Sequence, residues 1–268
     1  MSDVIQTEEP RPGVLLVRLN RPEALNAMTT ELIEGLHEVL AGVRNDSATR
    51  AVVLTGNGRA FCAGLDLRGY GTPPGGGDEG RPQAGMRLQQ HIADLSEAFR
   101  GARPPIIAAI NGAAAGGGMS LSLFCDIRMM AESASLHPSF IKRGLSGCDL
   151  GVSWLLPRLV GFSRAAEILL TGRTVDADEA LRIGLVTSVH PADDLLTAAL
   201  DKAEAIAANS PFGVWMTKEV LWSNLEVPSF RAGIDLENRT QILTALTEDH
   251  AESVQAFLEK RPPVYRNR

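Results

Sequence analysis

Three short apolar runs, VLLVRLN (14–20), AVVLTG (51–56) and PIIAAING (105–112), limit what this chain can become. Each is five to seven residues of Val, Leu, Ile or Ala that stops at Asn or Gly, the form of a strand buried on both faces. Between the first two, Leu32, Ile33, Leu36, Val39, Leu40 and Val43 recur at helical spacing. Thr29 or Thr30 offers a cap there, and Glu31 and Glu34 follow in the first turn. Leu88, Ile92, Leu95 and Phe99 repeat the pattern before the third run. Strands that alternate with helices imply crossover connections and an α/β fold.

The second half reads as helical from about residue 163. In VDADEALRIGLV, Asp176 is the expected N-cap, Glu179 its capping-box partner and Gly184 the stop. DDLLTAALDKAEAIAANSP is an amphipathic helix that should end at Ser210 and Pro211. Two further helices are expected between SFRAGIDLEN and AESVQAFLEKRPP, the last stopped by Pro262 and Pro263. YGTPPGGGDEGRP (70–82) has no apolar period and is expected to be a mobile surface loop.

Several function classes fall away. The formal net charge is −6, so there is no general basic field for nucleic acid or an anionic membrane. Cys62, Cys125 and Cys148 are far apart, without CxxC spacing or nearby His pairs, so neither zinc nor a disulfide framework is expected. The opening MSDVIQTEEP has no basic region or apolar core of a signal peptide. No uninterrupted apolar 18-mer occurs. A reduced, cytoplasmic protein is the expectation. A dinucleotide fingerprint fails because TGNGRAF has Gly56 and Gly58 but Phe61 in the third place, and no Walker lysine follows any glycine run.

Two segments carry chemistry instead. RAFCAGLDL (59–67) follows the second strand, and NGAAAGGGMSLSLFCD (111–126) follows the third. In a parallel sheet both come out at the same edge, where ligands bind. Gly116, Gly117 and Gly118 read equally well as tight strand–helix packing or as backbone amides presented to a ligand at a helix N-terminus.

GNGRAFCAGLDL, the ING and AGGGMSLSLFCDIR pair, GLVTSVHP and AFLEKRPPV together resemble the crotonase superfamily of enoyl-CoA hydratases and isomerases, from about residue 12 to 264. The resemblance implies an α/β spiral of ββα units with a C-terminal helical trimerisation region, divided near 1–195 and 196–268. It also implies an acyl-CoA thioester substrate, no cofactor beyond that CoA, no metal, and a homotrimer or hexamer without nucleic-acid or membrane partners. Ala63 and Gly117 match the two amides of the family's oxyanion hole. Leu25, Ala27, Ala63, Leu65 and Asp66 match its CoA surface, with Arg21 placed for CoA phosphates. Phe257 and Lys260 match positions that meet a neighbouring subunit's CoA.

The match departs at the catalytic acids. Family hydratases carry two Glu where this chain has Ser120 and Phe140. Neither side chain is a general acid or base near neutral pH. Asp149, in RGLSGCDLGVSWLLPRLVG, falls near an acid used by dienoyl-CoA isomerases and is the catalytic candidate, with a helix N-cap as its competing role. His137 is expected to be structural. Ser120 lacks the GxSxG context of a nucleophile. Hydration or a double-bond shift is the expected reaction. Acyl-CoA binding without turnover, and acyl-CoA hydrolysis or carbon–carbon cleavage, are the alternatives.

Overall fold

The structure is a computed structural model and describes residues 3–71, 75 and 77–268. The chain opens with an antiparallel hairpin, β1 (Ile5–Arg11) and β2 (Val14–Leu19), and then α1 (Thr30–Asn45). Thr29 caps α1 by accepting from Leu32 N, and Leu32, Ile33, Leu36, Leu40 and Val43 form its buried face. A ββα unit then repeats: β3 (Ala51–Gly56), β4 (Ala60–Cys62) and α2 (Arg81–Gly101); β5 (Ile106–Ile110), β6 (Ala113–Ala115) and α3 (Gly117–Phe124). β7 (Ile127–Ala131) and β8 (Ser135–His137) lead through a 3-10 turn to α4 (Val152–Val160) and α5 (Phe162–Thr171). β9 (Val175–Asp176), α6 (Ala177–Arg182) and β10 (Ser188–His190) close the sheets. Four helices follow: α7 (Ala192–Ala207), α8 (Pro211–Asn224), α9 (Phe230–Ala245) and α10 (Glu248–Glu259).

In each unit the first strand joins one sheet and the second joins another. The six-stranded sheet runs β1-β2-β3-β5-β7-β10, and the four-stranded sheet runs β4-β6-β8-β9. This is the spiral of ββα units expected above. The run 105–112 holds the single strand β5, which ends at Ile110 before the chain turns a corner at Asn111 and Gly112 into β6. The Asn111 carboxamide accepts from Gly56 N at 3.0 Å and donates to the Gly58 carbonyl at 2.9 Å. A Cβ on Gly112 would stand 2.2 Å from the Arg59 carbonyl oxygen. Side-chain amides thus tie together two corners that have lost their ladder bonds.

Other expectations shift for local reasons. Asp176 caps α6 through Glu179 N, but the Glu179 carboxylate pairs with Arg173 at 2.6 Å instead of closing a capping box. Residue 195 lies in the first turn of α7, whose Leu195, Ala199 and Ala203 belong to the main core, so the core continues past that boundary. Pro211 starts a helix instead of ending one, as proline does at a first helical position. Tyr70 is buried, with its carbonyl accepting from Thr30 N, while Arg81 and Pro82 already belong to α2. The rest of the glycine-rich stretch is described only at residues 71, 75 and 77–80; residues 72–74 and 76 lie outside the described residues. Among the described residues, no helix is long and apolar enough to cross a membrane.

One buried ion pair fastens α8 to this core. Lys218 Nζ lies 2.9 Å from Asp126 Oδ2 and donates to the carbonyls of Phe99 and Pro104. Asp126 also accepts from Trp222 Nε1 at 2.7 Å and from Ile106 N at 2.7 Å. Removing one member of a buried pair strands the other. Lys218→Met is expected to lower stability by about 3 kcal/mol, because Asp126 keeps only its two neutral donors. Thermal unfolding of the variant beside wild type measures it.

Candidate active site

The site grows from the segment that leaves β4. Its backbone runs beside residue 28 as a short parallel bridge: Met28 N donates to the Gly64 carbonyl at 2.7 Å, and Asp66 N donates to the Met28 carbonyl at 2.9 Å. Ala63 N donates to the Leu25 carbonyl at 3.0 Å, and Gly64 N faces the Cys62 sulfur. Three of the four amides from 63 to 66 therefore have acceptors. In a parallel bridge the residue between the two bonds points its N–H the other way, and among the described residues the Leu65 N–H has no acceptor. The amide offered by this segment is that of Leu65, not that of Ala63, a correction to the sequence expectation.

The second amide comes from α3. Gly116 is the N-cap at φ +50, a conformation that favours glycine, and its own N–H donates to the His137 carbonyl at 2.8 Å. The first intrahelical bond of α3 runs from Ser120 N to the Gly116 carbonyl. Gly117 N is among the orphan donors of a helix start, at the positive end of the helix dipole. A Cβ on Gly64 would lie 3.3 Å from Gly117 N, so the two segments abut. A Cβ on Gly118 would stand 2.0 Å from the Cys62 carbonyl oxygen. Gly118 thus allows close packing, and among the described residues the Gly117 N–H has no acceptor.

Side chains around these amides are mostly apolar. The position of a Cβ on Gly117 is 2.1 Å from Met28 Cε and 3.5 Å from Leu150 Cδ1, and that of Gly116 is 3.4 Å from Phe140 Cε1. Ser120 is fully buried, and its hydroxyl turns back to the Gly116 carbonyl at 3.4 Å. His137 has Ser135 Oγ 2.7 Å from Nε2 and Thr174 Oγ1 3.1 Å from Nδ1. Burial, with nearby Lys142, holds its pKa below the usual value.

Asp149 precedes Leu150 and is half-buried. It does not cap α4, whose N-cap is Gly151 with no side-chain bond. Its Oδ1 instead accepts from Gln89 Nε2 of α2 at 2.5 Å and from Leu150 N at 2.8 Å.

The remaining candidates divide. Arg21 does not face solvent as a phosphate ligand: its guanidinium pairs with Asp66 at 3.0 Å and donates to the Ala27 carbonyl. Leu25 sits in a left-handed turn, and Ala27 is buried. Asn26, which the sequence reading passed over, is the hub of that turn. Fully buried, it accepts from Arg21 N and donates to the carbonyls of Asn57 and Ala60. Phe257 and Lys260 stand exposed at the end of α10, which packs on α9. Among the described residues, no group of three His, Cys, Asp or Glu side chains could hold a metal ion.

Residues 9–268 match the protein family described as enoyl-CoA hydratase/isomerase. The chain belongs to that family. A probable enoyl-CoA hydratase, echA12, from Mycobacterium bovis is 41% identical over 98% of this chain and 92% of that protein. A 1,2-epoxyphenylacetyl-CoA isomerase from Escherichia coli is 36% identical over 94% of this chain and 95% of that one. The crystal structure of a probable enoyl-CoA hydratase/isomerase from Mycobacterium abscessus superposes with a TM-score of 0.92 at 38% identity, over 99% of both chains.

The ion pair between Arg21 and Asp66 links the stability of the fold to pH. The Arg68 N–H first, and then the Arg21 guanidinium, hold the Asp66 carboxyl below the usual carboxylate range. A carboxyl so depressed stabilises the fold above its unfolded value near pH 4, and that contribution disappears as pH falls through the folded value. Asp66→Asn is expected to cost about 1 kcal/mol at pH 7. The difference from wild type should close as pH falls through the folded value of the Asp66 carboxyl, as read by denaturant unfolding at a series of pH values.

Proposed function

We propose that this chain shifts a double bond in an acyl-CoA thioester, with a single carboxylate, Asp149, carrying the proton. The observation that carries this reading is the set of candidate proton carriers: Ser120 is turned back to the Gly116 carbonyl, Phe140 has no proton to exchange, and Asp149, the residue before the Leu150 that lies beside Gly117, has one oxygen hydrogen-bonded and the other without a partner among the described residues. The thioester oxygen accepts from Leu65 N and Gly117 N. Asp149 takes a proton from a carbon one or three positions from the carbonyl, and the electron pair moves through the chain onto that oxygen. The same carboxyl returns the proton at the other carbon, so no atom is gained or lost. Amides aimed at the developing charge in a site with apolar walls stabilise it without reorganising.

Adding water needs a further group to activate it, and the two family positions for such groups hold Ser120 and Phe140. The isomerase reading is thus favoured over hydration. No cofactor is required beyond the CoA of the substrate. Arg68, exposed beside Asp66, is better placed than the paired Arg21 to meet CoA phosphates.

Incubation with 2-enoyl-, 3-enoyl- and dienoyl-CoA thioesters in deuterated water tests the reading. Wild type should shift the double bond and take up deuterium, and Asp149→Asn should slow both by about a hundredfold or more. Equal rates in the two proteins would remove Asp149 from the mechanism. Binding without any change would favour the acyl-CoA-binding alternative. Release of free CoA or a shortened acyl chain would favour hydrolysis or cleavage.

We also infer that the protein works as a homotrimer or hexamer assembled through its C-terminal helices. What supports this is that Phe230, Leu246 and Phe257, at the ends of the last two helices, are each at least 80% exposed in the single chain, the kind of apolar side chain that an interface between subunits covers. This arrangement would let Phe257 and Lys260 meet a neighbouring subunit's CoA. Light scattering should give three or six chains per particle, and Leu246→Asp with Phe257→Asp should give smaller particles. A monomeric wild type would refute it.

A further inference from the structure

We infer that Gln89, on the outer face of α2, is a positioning residue that decides which oxygen of Asp149 handles the proton. The inference rests on the role proposed above for Asp149. A carboxylate is symmetric, and by itself either oxygen could meet the substrate. Here the symmetry is broken: Oδ1 accepts from Gln89 Nε2 at 2.5 Å and from Leu150 N at 2.8 Å, while Oδ2 has no hydrogen bond among the described residues. Two donors use both lone-pair directions of Oδ1.

The two donors are not equivalent. Leu150 N belongs to the next residue, held at φ +46, and fixes the near end of the carboxylate. Gln89 reaches across from another element, 60 residues away in sequence, and fixes the plane of the group from outside. Its helix is anchored one turn later by Ile92, then by Leu95 and Phe99, all buried in the core. The donor is therefore mounted on a rigid support even though Gln89 itself is exposed.

A carboxamide also suits both protonation states of its partner. Its N–H donates to a carboxylate, and after a turn about its last bond its oxygen can accept from a carboxylic acid. An acid/base that is charged before proton transfer and neutral after it needs such a partner; a lysine would favour only the charged form.

The test compares Gln89→Met, which keeps the length but loses the donor, with Gln89→Glu, which keeps the shape but places an acceptor against an acceptor, alongside Asp149→Asn. In the double-bond shift, Gln89→Met should lower kcat about tenfold, the effect of one hydrogen bond to a charged group, with KM unchanged within about twofold. Gln89→Glu should be slower still near neutral pH, because two carboxylates face each other. A wild-type kcat in Gln89→Met, or a loss expressed only in KM, would overturn the inference, as would Gln89→Glu matching wild type. If Asp149→Asn turns over like wild type, the proposed function fails first. If it is inactive while Gln89→Met is unaffected, only the role of Gln89 fails.

Discussion

The short parallel bridge between residue 28 and the segment after β4 is what the rest of the site depends on. Two backbone bonds, Met28 N to Gly64 O and Asp66 N to Met28 O, set which way every amide from 63 to 66 points. Once they form, the Leu65 N–H has to face away from residue 28. Asn26 supports the bridge from below by tying its own turn to the carbonyls of Asn57 and Ala60. Arg21 and Asp66 close it from the side. The orientation of these amides is therefore a property of backbone register, and side chains enter mainly by holding that register still.

The alternation of strands and helices was legible in the sequence because apolar period and end signals agree at residues 14–20, 51–56 and along α1 and α2. The second sheet was not. β4, β6 and β8 are three residues each, too short to show a period, and β5 and β6 form one continuous apolar run broken only by Asn111 and Gly112. α8 was missed for a different reason. Phe212, Val214, Trp215, Val220, Leu221 and Trp222 are spread around the helix, and its one deeply buried residue is a lysine held by Asp126. A hydrophobic stripe is what sequence periodicity detects, and this helix has none.

The site was legible to the level of the segment and no further. Both loops were identified by their glycines, and the amide of Gly117 followed from its place at a helix start. The choice between Ala63 and Leu65 depends on a pairing with residue 28, nearly forty positions earlier, which no local pattern encodes. In the same way Arg21 and Asp66 each look like ligands for CoA when read alone. In space they satisfy one another. Asp149 was singled out as a candidate from its neighbourhood, while Gln89 had no local signal because an exposed glutamine on a helix is ordinary.

The corner between the two sheets has a consequence for how such a protein can change over time. Ser120 and Phe140 both sit where their backbones are already fixed, the first inside α3 and the second at the head of a 3-10 turn. Among the described residues neither side chain hydrogen-bonds to Gly117 or Leu65. The two positions are thus mounted on a frame whose backbone bonds do not use their side chains. A lineage could exchange what stands there while the register that orients the Leu65 and Gly117 amides stays as it is.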